Sequence, residues 1–275
     1  METWCIDQEQ LEQWATFSGD WNTIHFDRQA ALRMGAADIV VHGMIPTILA
    51  QDHVSRRTLD AAPGSWRLCR VRMKRPLLRD RPARFSVSPA PGGLRFSVSS
   101  GAEELHLTGT IGPHEEGLLG AAAVGAGPSL DLLPITLGKQ EVHRRAAEFA
   151  QVFPSVESSW VCLSGILFSA FLRRDLRLLQ EASARERAKA EDYAQDVVAV
   201  QTTHSVRFDS GHFAARLPAG LGVCTCAFRP VRIFRVQGGW SAECSFAVRH
   251  EDCYVMEIVV GVLLKVTQPS SQGER

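Results

Sequence analysis

The chain has 275 residues, of which 45% are hydrophobic and 22% are charged, and its 30 basic residues balance its 30 acidic residues. This composition is that of an ordinary globular protein, so wholesale disorder is excluded. A formally neutral chain has no overall field that attracts nucleic acid or an anionic membrane surface, so we expect neither as a partner. The length predicts one large domain or two smaller ones.

The start of the chain and its cysteines favour a cytoplasmic protein. Residues 1–5 contain no basic stretch followed by an apolar run, so no signal peptide is predicted. No apolar stretch approaches the roughly 18 residues that a membrane span needs. The seven cysteines are an odd number and are scattered along the chain, as expected for reduced thiols. Cys224 and Cys226 lack a second pair at zinc-site spacing, so we expect no metal.

The first half of the chain reads as helices followed by strands. Helical patterns cover residues 8–18 and 28–34, and an apolar helix opens at Gly43. The polar turn before the second helix supplies Asp27 as its N-cap residue. Alternating patterns such as Cys69, Val71 and Met73 among basic residues then predict strands.

The second half repeats this order after a segment rich in Gly and Pro. A helical pattern covers residues 141–151, and an apolar helix starts at about Ser164. Strands are predicted at 197–208, 223–234, 240–248 and 254–266. Helices followed by consecutive strands, twice, predict a duplicated α+β unit in which antiparallel sheet covers an apolar helix. The predicted boundaries are 1–112 and 135–268 for the two units, 113–134 for a linker and 269–275 for a flexible tail.

Polar side chains crowd into the turn between the first two helical stretches, at Asp20, Asn22 and His25. A carboxylate and an imidazole separated by one short turn can reach the same small volume, and such a pair moves protons on and off a substrate. A glycine at the start of the apolar helix, Gly43, lets a ligand approach backbone N–H groups that suit an oxygen becoming negative. Together these features predict proton removal next to a thioester carbonyl.

The residues from 17 to 27, with Val-His-Gly-Met downstream, closely resemble the signature of the MaoC-like, (R)-specific enoyl-CoA hydratase family. Members carry Ser-Gly-Asp-x-Asn-Pro-Ile-His-x-Asp followed by Val-His-Gly-Met. The positions that fall on this pattern are Asp20, Asn22, His25, Asp27, Ala31, Gly35, His42, Gly43 and Met44. The resemblance implies a double hotdog fold of the α+β class, in which two antiparallel sheets each wrap a central helix and pack as a pseudo-dimer.

The resemblance also implies the activity and the roles of the site residues. Asp20 and His25 would be the catalytic pair, and the backbone N–H of Gly43 would polarise the thioester carbonyl. Asn22, His42 and Met44 complete the predicted oxyanion and substrate-binding set, with His42 expected to bond the loop that carries Asp20. The implied reaction interconverts (R)-3-hydroxyacyl and trans-2-enoyl thioesters without a cofactor. The substrate carrier would be coenzyme A or an acyl carrier protein, and the chain a monomeric pseudo-dimer or a homodimer.

Three departures from the family pattern carry expectations of their own. Thr23 stands where the family usually has proline, which relaxes the turn. The hydroxyl residue that often orients the aspartate from the central helix would be Thr47, with Gln51 one turn later. The second half, aligned by its apolar helix, contains no Asp/His pair at residues 156–159 or 163–166. We therefore expect it to be a degenerate hotdog that shapes the acyl tunnel.

A basic run from Arg67 to Arg81 includes Arg70, Arg72 and Lys74. It is either a solvated strand face or a seat for the phosphates of coenzyme A or of a phosphopantetheine arm. Two other functions stay open at this point. A hotdog thioesterase, or an isomerase or cyclase that reuses the site, would keep the fold and change the chemistry. A non-catalytic acyl-carrier binding protein would keep the motif as a relic.

Overall fold

The computed structural model describes residues 2–58, 65–101, 104–114, 129–130, 133–188, 197–214, 223–228, 231–236, 239–250 and 253–266. Its helices are α1 (Gln8–Ser18), α2 (Arg28–Arg33), α3 (Met44–Ser55), α4 (Lys139–Val152) and α5 (Ser159–Ala188). Its strands are β1 (Glu2–Trp4), β2 (Trp66–Met73), β3 (Ala83–Ala90), β4 (Gly93–Ser100), β5 (Glu104–Pro113), β6 (Ser129–Leu130), β7 (Ile135–Leu137), β8 (Val197–Asp209), β9 (Cys224–Phe228), β10 (Val231–Val236), β11 (Gly239–His250) and β12 (Cys253–Val266). Most of the predicted linker and the whole predicted tail lie outside the described residues, so these boundaries stay predictions.

The strands form one antiparallel sheet of twelve strands that is continuous across the two halves of the chain. Its main path runs β1-β3-β4-β5-β2-β8-β12-β11-β10-β6, with β9 bridging β11 and β7. The halves meet where β2 pairs with β8, and there Arg72 lies opposite Thr203. In the first half, β2 follows the apolar helix α3 and pairs with β5, the last long strand of that half. In the second half, β8 follows the apolar helix α5 and pairs with β12, again the last long strand. The two halves therefore present the same order outward from the seam.

The two apolar helices, α3 and α5, pack against the sheet and against each other. Helix α3 packs against β4 and β5, α5 packs against β8 and β12, and the two helices contact one another. Trp160 of α5 is fully buried and stacks on Phe208 of β8, with ring centroids 4.3 Å apart. An antiparallel sheet that covers apolar helices is the arrangement that the order of elements predicts. Among the described residues, no helix is both long enough and apolar enough to cross a membrane.

Two details of the sequence interpretation are corrected by the structure. Helix α5 begins at Ser159 rather than near Ser164, because the apolar face of the helix already starts at Trp160 and Val161. The segment predicted as a single strand over 223–234 is two strands, β9 and β10, which pair with different parts of β11. The buried side chains fall on Cys224 and Cys226 in β9 but on Val231 and Ile233 in β10, so the alternation shifts by one residue between the strands. Pro230 stands at this shift in the sequence and is the signal that the single-strand prediction overlooked.

Local sequence signals determine where the turn between α1 and α2 begins and ends. Helix α1 starts at a capping box, in which the Asp7 carboxylate accepts from the Gln10 backbone N–H at 2.9 Å. It ends at Gly19, whose φ of +79° is the left-handed conformation that glycine adopts without steric cost. Helix α2 starts at Asp27, whose carboxylate accepts from the Gln29 backbone N–H at 2.7 Å, as predicted. The turn between these two caps carries the polar residues of the motif.

Candidate active site

A cavity of about 410 Å³ opens between the two halves of the chain. Asp20, His25 and Gly43 line it from the first half. Gln201 of β8 and Phe168 of α5 line it from the second half. Its remaining walls are mostly apolar, which suits an acyl chain and strengthens the interactions of the few polar groups inside. The structure thus brings the predicted catalytic pair and the predicted backbone donor to a single cavity.

His25 presents one free ring nitrogen in this cavity. Its Nδ1 lies 2.7 Å from the backbone oxygen of Val40, and because a carbonyl only accepts, Nδ1 carries the proton. The neutral ring therefore offers Nε2 as an acceptor. Burial lowers the pKa of His25 below its ordinary value of 6.5, and the neighbouring Asp20 charge opposes this effect in part. The neutral imidazole is the form that can take a proton from a substrate.

Asp20 is the acidic partner of His25. Burial raises the pKa of Asp20 above its ordinary value of 3.8, against the lowering effects of His25 and of the Asn22 backbone N–H. The pKa shifts of Asp20 and His25 therefore both favour their neutral forms. A protonated carboxyl beside a neutral imidazole has one proton to give and one site to receive, which is what a paired elimination or addition needs.

His42 supports the pair and does not itself line the cavity. Its ring stacks on that of His25 with centroids 3.7 Å apart, and its Nε2 donates to the backbone oxygen of Asp20 at 2.9 Å. Burial and the proximity of His25 lower the pKa of His42 well below 6.5, so its ring is neutral. The contact with the Asp20 backbone is the one expected from the sequence.

The geometry of the histidines does not favour a metal ion. One ligand atom each of Asp20, His25 and His42 lies within 4.8 Å of the others, which is close enough to consider a shared ion. However, an imidazole lone pair lies in the plane of its ring, and the planes of His25 and His42 are stacked at only 27°. Two stacked rings direct their lone pairs side by side rather than at one point, so the three groups suit proton transfer better than coordination.

Gly43 precedes the first residue of α3 and leaves its backbone exposed to the cavity. The N–H groups of Gly43 and Met44 donate to no described residue, as expected at the first turn of a helix. The φ of Gly43 is −57°, a conformation that any residue adopts, so a turn does not explain the glycine. The absence of a side chain leaves the N–H accessible from the cavity that Gly43 lines. Met44 is buried behind this position and forms part of the cavity wall.

Asn22 uses its whole side chain to hold the turn. Its amide nitrogen donates to the backbone oxygen of Ala199 in β8 at 3.0 Å, and its oxygen accepts from the Ile24 backbone N–H at 3.4 Å. Both groups are therefore occupied by protein partners. This favours the expected role of positioning the catalytic pair over that of binding the water.

Thr47 and Gln51 are not brought to the catalytic pair. The Thr47 hydroxyl donates to the backbone oxygen of Gly43 at 2.7 Å, so it orients the start of α3 rather than Asp20. The Gln51 side chain is fully buried next to the Cys69 thiol, and Gln51 does not line the cavity. Among the described residues, no side-chain hydroxyl of α3 takes the predicted orienting role.

The three basic residues of β2 and its end separate into two groups. Arg70 and Arg72 are exposed on β2, and neither lines the cavity. Lys74, just after β2, is exposed and lines the cavity together with Arg75. Of the three predicted phosphate contacts, only Lys74 therefore lines the cavity.

The second half contributes contacts that sequence inspection missed. The backbone oxygen of Phe17, at the end of α1, accepts from Arg145 at 2.8 Å and from Ser169 and Arg173 at 3.0 Å each. These donors hold the C-terminal end of the helix that leads into Asp20, where the helix dipole favours cations. No sequence signal points to them, because each is more than a hundred residues from its partner.

Three buried histidines, His25, His42 and His204, predict that acid destabilises the protein. Burial lowers the pKa of His204 from 6.5 to about 3. Between these pH values the unfolded residue binds a proton that the folded residue does not, so the unfolding free energy falls as the pH falls. We expect H204N to flatten this dependence by up to about 1.4 kcal/mol per pH unit between pH 6 and 4, as estimated for one proton. Urea titrations of both proteins at several pH values measure the slopes.

The contribution of Asp20 to the pH dependence of the unfolding free energy has the opposite sign, because its raised pKa makes the folded state bind the extra proton. It is present in both proteins and cancels in the comparison. Equal slopes for wild type and H204N would show that His204 titrates normally in the folded state.

Comparison with known proteins finds a family model that matches the N-terminal part of the chain. The family model "MaoC like domain" matches residues 2–87. A search of curated proteins returned no significant match.

Solved structures resemble the whole chain at low identity. One of a MaoC-like dehydratase has 12% identity and a TM-score of 0.50, with 95% of each chain covered. A Mycobacterium tuberculosis protein with a double hotdog fold has 13% identity and a TM-score of 0.54, covering 96% of this chain and 94% of its own. A MaoC domain protein of Chloroflexus aurantiacus has 8% identity and a TM-score of 0.53, covering 98% and 94%. The chain therefore has a hotdog fold, and its residues 2–87 match the model of the MaoC-like domain.

Proposed function

We propose that the protein is a hydro-lyase that interconverts (R)-3-hydroxyacyl and trans-2-enoyl thioesters carried by coenzyme A or a carrier protein. The observation that carries this proposal is the pairing of Asp20 and His25 with the free backbone N–H of Gly43 in a single apolar cavity. The membership of residues 2–87 in the MaoC-like family supports it. We further propose that the second half acts as the partner hotdog of a pseudo-dimer and closes the acyl tunnel.

In the dehydration direction, the thioester carbonyl accepts a hydrogen bond from the Gly43 N–H. Neutral His25 takes the proton of carbon 2 at Nε2, and negative charge develops on the carbonyl oxygen at the positive end of α3. Protonated Asp20 gives its proton to the hydroxyl on carbon 3, the carbon–oxygen bond breaks and water leaves. The products are the 2-enoyl thioester, water, an imidazolium and a carboxylate, and proton transfer from His25 to Asp20 restores the starting state. Hydration is the same path reversed.

The pH dependence of the proposed mechanism follows from the shared proton. Acid adds a second proton to the pair and removes the base, whereas alkali removes the only proton and with it the acid. Burial opposes the doubly protonated form because it carries a net positive charge, and it opposes the fully deprotonated form because that form is an anion. The mechanism therefore implies a bell-shaped profile that belongs to the pair rather than to either residue.

The proposed function predicts the mass of the product. We expect purified protein to convert 3-hydroxybutyryl-CoA to a product lighter by one water, and to return it from crotonyl-CoA. Mass spectrometry of both reactions, with the (R) and (S) substrates compared, measures this outcome. Release of the free acid would instead identify a thioesterase, and an unchanged mass with a shifted double bond would identify an isomerase. Binding without turnover on either carrier would contradict the proposal.

A further inference from the structure

Gln201 of β8 places a side-chain amide next to Gly43. The Gln201 oxygen lies 3.6 Å from the point that a Cβ on Gly43 would occupy. The Gln201 nitrogen lies 3.2 Å from His204 Nδ1 and 3.2 Å from the Met44 sulfur. No described residue donates a hydrogen bond to the Gln201 oxygen. The second half of the chain thus supplies an unused acceptor to a site whose catalytic pair belongs to the first half.

His204 and Met44 determine which way this amide points. Because burial lowers the pKa of His204 to about 3, the ring is neutral and one of its nitrogens is an acceptor. The Ser164 hydroxyl can accept from His204 Nε2 at 3.0 Å, and in that tautomer Nδ1 accepts from Gln201. Exchanging the amide atoms would place the Gln201 oxygen 3.2 Å from the electron-rich sulfur of Met44, whereas a donor nitrogen suits a sulfur acceptor. The carbonyl of Gln201 is therefore directed at Gly43.

Gln201 shares the cavity with its basic residues. The ladder between β2 and β8 ends at the pair Arg72–Thr203, and Lys74 and Gln201 each lie two residues beyond that pair. Both residues line the cavity, and Lys74 is exposed. A substrate that rests its carbonyl oxygen on the Gly43 N–H and directs an anionic carrier towards Lys74 must pass Gln201. The first hydrogen-bond donor on the carrier side of such a thioester is the amide N–H of the cysteamine arm.

We propose that the Gln201 oxygen accepts a hydrogen bond from the cysteamine amide N–H of the substrate, and that His204 and Ser164 position it for this contact. The inference rests on the proposed function, because it assumes that a pantetheine-type thioester occupies the cavity. The degenerate half then selects the carrier arm, while the first half carries out the proton transfers. A thioester without this N–H leaves the Gln201 oxygen desolvated and unpaired, which is unfavourable.

Binding of an unreactive thioester tests the proposal separately from catalysis. The probes are the butyryl thioester of N-acetylcysteamine and its analogue in which an ester oxygen replaces the amide N–H. Neither has a hydroxyl or a double bond to react. We expect wild type to bind the amide probe about 3- to 10-fold more tightly, the ratio expected for one neutral hydrogen bond. Q201M should bind both probes equally, as measured by isothermal titration calorimetry.

The control is S205A, which removes a hydroxyl from the same strand outside the cavity lining. It should keep the wild-type preference for the amide probe. H204N should reduce the preference while the affinity for the ester probe stays the same, as expected for a positioning residue. A preference that survives in Q201M, a wild type that shows none, or failure to bind either probe would overturn the inference. Dehydration by wild type in those cases would leave the proposed function standing.

Discussion

Replacement of Asp20 by asparagine or of His25 by alanine is expected to lower kcat/KM for 3-hydroxyacyl dehydration by at least about 10²-fold, since general acid and base groups contribute about 10²–10⁴. The asparagine cannot release a proton, and the alanine leaves no acceptor for the proton of carbon 2. Both variants should fold. Asp20 keeps an oxygen for the Asn22 backbone N–H in the asparagine form, and His25 contributes only one hydrogen bond, to Val40. Steady-state kinetics and thermal melting measure the two effects.

The double variant distinguishes a shared mechanism from two separate structural losses. If both residues act on the same transition state, removing the second should cost little more than removing the first. D38N and H53A are matched controls, because Asp38 and His53 carry the same chemical groups outside the cavity lining. They should keep wild-type kcat/KM. Near-normal hydration of crotonyl-CoA by D20N or H25A would remove the basis of the enzyme assignment.

The turn that carries the pair could be predicted because its signals are local. The Asp27 side chain caps α2 by accepting from backbone N–H groups at most three residues away, and Gly19 ends α1 by its left-handed backbone conformation. These caps bring Asp20 and His25 close together, whereas contacts of the segment before α3 hold Gly43 near them: the Val40 backbone N–H donates to Ile24, and the His42 ring donates to the Asp20 backbone oxygen. Residue spacing therefore predicted the neighbourhood of Asp20 and His25, and the resemblance to the family motif added Gly43.

The supports of that turn could not be predicted, because they come from far along the chain. Asn22 bonds Ala199, and the Phe17 carbonyl bonds Arg145, contacts that span 177 and 128 residues. A carbonyl has no side chain to mark it, and an arginine on an amphipathic helix reads equally well as a solvated residue. Only the packing of α4 and α5 against α1 reveals the contact of Phe17, and only the position of β8 reveals that of Asn22.

The orienting residue expected on α3 illustrates a limit of helical spacing. Position 47 lies one turn into α3, which made Thr47 a reasonable candidate. A hydroxyl in a helix also reaches the carbonyl four residues back, and Thr47 makes that bond with Gly43. Spacing predicts which face a residue occupies, but it does not predict which of two acceptors on that face it takes. The stacked His42, bonded to the Asp20 backbone, is the residue that fixes the loop.

Replacement of Asp52 by alanine is expected to lower the free energy of unfolding by about 2–4 kcal/mol, the cost of leaving the partners of a buried charged group unpaired. Asp52 lies in α3 and is 3% exposed. Its Oδ1 accepts from the backbone N–H groups of Glu157 and Ser158 at 2.9 and 2.8 Å, and its Oδ2 accepts from Arg56. These two N–H groups immediately precede α5, where a negative charge is favourable. One carboxylate thus joins the buried helices of the two halves.

The conservative variant and the ion-pair partner separate the contributions to this junction. D52N keeps an acceptor for the N–H groups and loses the charge, so its free energy of unfolding should lie between those of wild type and D52A. The free energy of unfolding of R56A should be lower than that of wild type by less than about 1 kcal/mol, because Arg56 is half-exposed and water replaces it at the carboxylate. Urea denaturation gives the three free energies, and kcat/KM per folded molecule should stay at the wild-type value because Asp52 lies outside the cavity. D52A with wild-type stability would mean that packing of α3 against α5, such as the Trp160–Ser55 hydrogen bond, holds the halves together without this carboxylate.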